Sequence, residues 1–329
     1  MDAFGKMDPT LQHWYANLLS AAVVNAVLFA FLLLRAAPPT AYARRLRLLA
    51  APVVFQCAWR GVFPSLYLQR FAFWDTPLNS ILVDRTLACA GEMAWNIALA
   101  VCFCHLDGQL HPTPRKGEGE GSKGGGTPWV RRSAAAMVAM YALAEATSYY
   151  NTATENELAA AAEVLLDGTS QVLLLPAAVF LFRALPAGKR CGTSAGIFLL
   201  AFAAQGLGLF AYNVLVDAPM YWKRYQADQA AGKQYLPFAA GLWDALVHRI
   251  PTQQLADWQA DMSWMVGYFW GNPLAATLVA WAAPSIGPAV SVCDDDEGYE
   301  IVPLTNERGS EATPSVASAR GSISMVAEE

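Results

Sequence analysis

Charge is what this sequence has least of. Only 15% of its 329 residues are Asp, Glu, Lys or Arg, against about 25% in an ordinary soluble protein. Hydrophobic residues make up 55%, and the mean hydropathy is +0.28. The apolar residues fall in blocks of about 20, the length that crosses a hydrocarbon layer. No basic domain is present and the formal net charge is −5, which argues against a nucleic-acid partner. Much of the acid lies in the C-terminal tail, so the net value says little about the apolar part.

Histidine and cysteine are also sparse. The four histidines, His13, His105, His111 and His248, form no HExxH, ExxH or HxxxH pairing, which argues against a histidine-rich metal centre. The six cysteines are Cys57, Cys89, Cys102, Cys104, Cys191 and Cys293. The two-residue spacing of Cys102 and Cys104 suits neither a zinc knuckle nor a thioredoxin-like motif. They read as reduced core or interface residues, and no metal or cofactor is expected. The first 15 residues lack an Arg/Lys-led segment and a small-residue cleavage site, so no removable signal peptide is expected.

What the chain does have is apolar blocks that carry a few ionisable residues. The expected class is all-α, a polytopic bundle of seven spans near residues 15–34, 48–68, 79–105, 132–150, 162–182, 194–216 and 262–283. A short segment, 1–14, precedes the helical domain 15–283. Residues 106–130, rich in Gly, Pro and charge, read as a disordered loop. Thr154 reads as an N-cap with Glu157 three residues on, and Pro176 as a kink. Residues 218–261 are too polar to span and read as two or three interfacial helices, with Tyr221, Trp222, Tyr225, Trp243 and Trp258 in the headgroup layer. Residues 284–329 form a Ser-rich acidic tail.

The basic residues orient the bundle. With the N-terminus outside or lumenal, Arg35, Arg44, Arg45, Arg47, Arg115, Lys116, Lys123, Arg131, Arg132, Arg183, Lys189 and Arg190 fall inside. Those twelve outnumber seven spread over the longer outside segments, and the loop between spans four and five has none. The positive-inside rule then puts the C-terminus in the cytosol, in a plasma membrane or endomembrane.

Arg85, Cys89, Glu92 and Asn96 are spaced by four, three and four in span three, so they share one helix face. Arg60 lies in the outer half of span two, and Asp84, Arg85 and Glu92 in the same half of span three. Glu145, Asp167 with Gln171, and Asn213 with Asp217 occupy that side of spans four, five and six. Burying Arg60, Arg85, Glu92, Glu145 and Asp167 unpaired would cost on the order of 12–17 kcal/mol in hydrocarbon. They must therefore pair or be hydrated.

The expected pairs are Arg60 with Glu92, and Arg85 with Glu145 or Asp167. One reading is a set of structural ion pairs; the other is an outward polar cavity for a small solute, ion or proton. An enzyme acting on a lipid or isoprenoid through carboxylates is the alternative, and a non-catalytic scaffold is a third. For the enzyme, Asn213-xxx-Asp217 and Asp257-xxx-Asp261 resemble, in incomplete form, the paired acidic motifs of intramembrane prenyltransferases.

Seven spans with Asn272-Pro273 in the last resemble a G-protein-coupled receptor only superficially. No tyrosine completes the NPxxY pattern, and Asp84-Arg85 opens span three instead of closing it. No lysine in span seven could carry retinal. In the tail, Tyr299-Glu-Ile-Val302 resembles a YxxΦ signal for a sorting adaptor. The expected partners are thus the bilayer, a small solute, ion or proton, and an adaptor contacting Tyr299 and Val302.

Overall fold

The computed structural model describes residues 7–36, 38, 40–112 and 126–282. The tail motif at Tyr299 and Val302 and most of the expected loop, 113–125, lie outside the described residues. A helix covers the heart of every expected span. They are α1 (Pro9–Leu34), α2 (Ala41–Val62), α3 (Ile81–Leu110), α4 (Pro128–Thr154), α5 (Glu157–Val172), α6 (Leu175–Ala184), α7 (Ser194–Tyr212) and α11 (Met262–Ala282). Between the last two lie α8 (Ala218–Ala230), α9 (Phe238–Val247) and α10 (Leu255–Trp258).

Four helical stretches are long and apolar enough to cross a membrane: Pro9–Leu34, Ile81–Leu110, Glu157–Ala184 and Ser194–Ala230. This fits the all-α class and is compatible with a membrane location. The helices at the other three expected positions fall short of that measure. Helix α2 carries Arg44, Arg45, Arg47 and Arg60, α4 ends in a polar run from Thr147 to Thr154, and α11 holds Asn272 and Pro273.

Proline and capping residues set the helix ends. Pro176 enters α6 in its first turn, where its missing N–H costs nothing, so the fifth apolar block breaks into two helices at Leu173–Leu174. The N-cap of α5 is Asn156, whose side chain accepts from Leu158 and Ala159 N–H. Thr154 is not that cap; its hydroxyl donates to the Tyr150 carbonyl inside α4. Glu155 between them closes α4 with φ +59°, the left-handed step that commonly stops a helix.

The loop after α3 begins later than expected, because Leu106–Leu110 continue the helix. Asp107, fully buried, ties the two sides together. It accepts from Thr127 N–H at 2.5 Å and from the Thr127 hydroxyl at 2.9 Å, and it lies 3.0 Å from His111 Nδ1. Asp107→Ala orphans those donors and is expected to lower stability by roughly 1–3 kcal/mol. A thermal-unfolding series in detergent that shows no change would contradict this role.

Two cores hold the helices. One joins α2, α3, α4, α6 and α7 through residues such as Val54, Leu99, Phe103, Met137, Leu181 and Phe202. The other is aromatic, at the N-terminal end of α1. There Tyr15 stacks on Phe73 at 4.2 Å between ring centroids, and Trp258 lies against Trp14 at 5.4 Å. Trp258 is therefore core and wholly buried, not an interfacial anchor as its position between the helices had suggested. Trp243, by contrast, is 66% exposed.

The connection between α2 and α3 adds an element absent from the all-α expectation. Its strands β1 (Ser65–Leu66) and β2 (Phe71–Ala72) pair antiparallel, and β3 (Ile250–Pro251) joins β2 in parallel. Ile250 N–H donates to the Arg70 carbonyl at 2.7 Å, and Thr252 N–H to that of Ala72 at 3.0 Å. Two-residue strands leave almost no period-2 signal, so the pattern along the chain could not show them. They fix the polar segment after α8 against the α2–α3 connection.

Candidate binding cavity

Helices α2 and α3 approach closely at Gly91. A Cβ there would sit 2.4 Å from Gln56 Cγ, so glycine alone lets the two backbones bring Arg60 opposite Glu92. Arg60, 3% exposed, pairs with Asp84 at 3.1 Å and reaches Glu92 at 3.9 Å. It also donates to the Gln56 carbonyl oxygen at 3.3 Å and to the Tyr67 hydroxyl at 2.7 Å.

Arg85 is the second hub. It pairs with Glu145, with Glu92 at 3.1 Å and with Glu163 at 3.9 Å. Glu92 thus bridges both arginines, and Tyr268 on α11 donates to it at 2.5 Å. Gln56 in turn donates to the Tyr268 hydroxyl at 3.0 Å. One network of ion pairs and hydrogen bonds joins α2, α3, α4, α5 and α11.

A cavity of about 630 Å³ opens beside this network. Of the ten polar residues singled out by sequence, nine line it: Arg60, Arg85, Glu92, Asn96, Glu145, Asp167, Gln171, Asn213 and Asp217. Asp84 does not. It is 1% exposed and spent on Arg60 and the Ser65 hydroxyl, which donates to it at 2.7 Å. The expected partner of Arg60 was Glu92, but Asp84 is nearer. The expected alternative for Arg85, Asp167, is replaced by Glu163.

Asp167 takes a different partner. Asn213, at the start of a π-helical turn (Asn213–Asp217) between α7 and α8, donates to it at 3.2 Å and to the Val164 carbonyl at 2.8 Å. Such single π turns recur at functional positions because they re-aim one side chain inside a continuous helix. Gln171, one turn beyond Asp167, donates to Asn96 at 2.6 Å and so links α5 to α3. Gln171 Oε1 is buried with no hydrogen-bond partner among the described residues.

The sequence did not single out Glu163, Tyr141 or Arg224, which also line the cavity, as does Asp261 of the second acidic pair. Glu163 lies four residues before Asp167 on α5, so the helical spacing could have flagged it. Asp261 sits just before α11, where burial pushes its carboxyl up against the opposing pull of Arg224. In total the lining holds six carboxylates, from Glu92, Glu145, Glu163, Asp167, Asp217 and Asp261, against the guanidiniums of Arg60, Arg85 and Arg224.

Among the described residues no group of three or more His, Cys, Asp or Glu is placed to hold a metal ion. The free cysteines Cys57 and Cys102 are buried, and Cys191 is exposed. No family model matches the chain, and no curated protein or solved structure matches it either. The class defined on these grounds is an α-helical protein with several membrane-length helices around a charged cavity.

Proposed function

We propose that the chain is a multi-pass membrane protein whose polar cavity binds and passes a small solute, ion or proton. In this reading α1, α2, α3, α4, α5 with α6, α7, and α11 form seven spans. The N-terminus is outside or lumenal and the C-terminus cytosolic, as the basic residues favour. The observation that carries it is the 630 Å³ cavity with its six carboxylates on membrane-length and neighbouring helices. Ionisable groups are rare inside membrane helices and mark substrate or ion pathways when they occur. A purely structural ion-pair set would pair its charges and leave no room. Here Asp167, Asp217 and Asp261 line the cavity with no arginine or lysine within 4.0 Å among the described residues.

Arg60 and Arg85 would set the local field, and Glu92 would sit between them as the switchable bridge. Binding of a cation or proton beside Glu92 or Glu145 would compete with the arginines for the carboxylates. That competition couples occupancy to the packing of α3 against α2 and α4. In vesicles containing the purified protein, Glu92→Gln together with Glu145→Gln is expected to reduce charge or solute flux at least tenfold. Unchanged flux in that double variant, with the protein folded, removes the site from the transport pathway.

A lipid-directed enzyme is the second reading, and one placement favours it. Asp217 and Asp261, one from each acidic pair, both line the cavity. Asp257 is instead taken by the Thr252 hydroxyl at 2.5 Å, so the second motif is incomplete. An altered lipid profile in expressing cells, abolished by Asp217→Asn, would favour the enzyme over transport.

A further inference from the structure

The cavity does not balance its charge, and the imbalance is local. Arg60 and Arg85 stand at the α2–α3–α4 side, where Asp84, Glu92 and Glu145 surround them. On α5, Asp167 has no basic group within 4.0 Å among the described residues. Its side-chain partner is the neutral amide of Asn213. One turn along the same helix, Gln171 is 2% exposed and its Oε1 has no donor among the described residues.

A buried acceptor left without a donor loses its hydration with nothing to replace it. Gln171 Oε1, one turn from the Asp167 carboxylate on the same helix face, therefore calls for a donor that arrives from the cavity. An ammonium group fits this need, with three N–H donors, no acceptor and a positive charge. The remaining walls suit the rest of such a molecule. Tyr141, Trp95, Tyr221 and Trp264 line the same space, and aromatic faces attract cations. An anionic ligand would face six carboxylates. Among the described residues, no three His, Cys, Asp or Glu side chains are grouped to hold a metal ion here.

We infer that the cavity binds an organic cation, a protonated amine with an apolar body, whose ammonium sits between the Asp167 carboxylate and Gln171 Oε1. This rests on the reading of the cavity as a binding site, but not on transport through it.

Calorimetric titration of the full chain in lipid nanodiscs tests it, with phenethylammonium chloride as probe and 2-phenylethanol as its neutral counterpart. The amine is expected to bind saturably and the alcohol at least tenfold more weakly. Asp167→Asn is expected to weaken the amine at least tenfold, while Asp167→Glu stays within about threefold. Should Asp167→Asn not fold, Gln171→Met removes the other acceptor and is expected to weaken the amine at least threefold.

Equal binding of amine and alcohol overturns the inference, as does binding indifferent to these variants. So does a failure of both phenethylammonium and tetramethylammonium to bind, or complete displacement of the amine by equimolar sodium chloride. Vesicle flux separates the two claims. Amine binding without any flux overturns transport and supports the cation site. Flux of another solute without amine binding overturns the cation site and leaves transport standing.

Discussion

Arg85→Met should destabilise the protein by on the order of 3–5 kcal/mol, the typical cost of removing one partner from a buried ion pair. Arg85 is 4% exposed and is shared by Glu145, Glu92 and Glu163 from three helices. Its removal leaves those carboxylates to repel one another in a medium that screens poorly. The expected signature is a large drop in unfolding midpoint, with partial recovery when Glu145→Gln is added, because the second change removes the charge that had lost its partner. Recovery separates electrostatics from lost packing, since Glu145→Gln restores no side-chain volume at position 85. An Arg85→Met protein that unfolds like the parent would mean that water already neutralises this cluster. The cavity would then be better described as open solvent.

Arg70 should be nearly as sensitive, for reasons the sequence did not suggest. The residue is 2% exposed although it lies in the α2–α3 connection. It donates to the Thr152 carbonyl at 2.5 Å and that of Ala153 at 3.2 Å, and it pairs with Asp244 at 2.9 Å and Glu155 at 3.3 Å. Thr152 and Ala153 are among the last residues of α4, whose carbonyls have no partner within the helix. One guanidinium thus caps α4, holds α9 and anchors the strand β2. Close packing at the same place requires Gly241, where a Cβ would lie 1.9 Å from the Ala153 oxygen.

Arg70→Ala is expected to cost on the order of 3–5 kcal/mol. Arg70→Lys should recover less than half, because a single ammonium cannot address four acceptors in a plane. The backbone supplies an internal control. Arg70 holds φ +56°, a left-handed conformation that costs a residue with a Cβ about 1–2 kcal/mol. Arg70→Gly should therefore be less damaging than Arg70→Ala by about that amount. Equal losses in the two variants would show that the left-handed turn contributes nothing to the balance.

Both results bear on function, because they concern the supports of the cavity. Arg85 works within its wall, and Arg70 fixes the segment that carries Asp261 and α11 into it. A change at Arg70 should therefore weaken amine binding only as far as it unfolds the protein. Changes at Asp167 should weaken binding without comparable loss of stability.

Much of the arrangement was legible along the chain. Apolar blocks of membrane length and the prolines at their ends place the helices, and helical spacing puts Arg85, Glu92 and Asn96 on one face. The cost of isolated charge in hydrocarbon forces the ionisable residues to meet. These arguments need only composition and period. They could not assign partners. Asp84 and Glu92 both lie within reach of Arg60, and which is nearer depends on helix rotation, set here by the close approach at Gly91. Nothing along the chain marked Arg70 as buried, because the residues that bury it are about 80 and 170 positions away.

By itself, then, the sequence determined that this is a helical protein with membrane-length apolar segments and that its scattered charges must converge. That follows from local periodicity and from the free energy of charge in an apolar medium, neither of which requires knowing the neighbours. Only the tertiary structure decided which acids are consumed in ion pairs and which are left facing a cavity. Partnering depends on distances of a few ångströms between residues remote in sequence, and Coulomb and hydrogen-bond energies change steeply over that range.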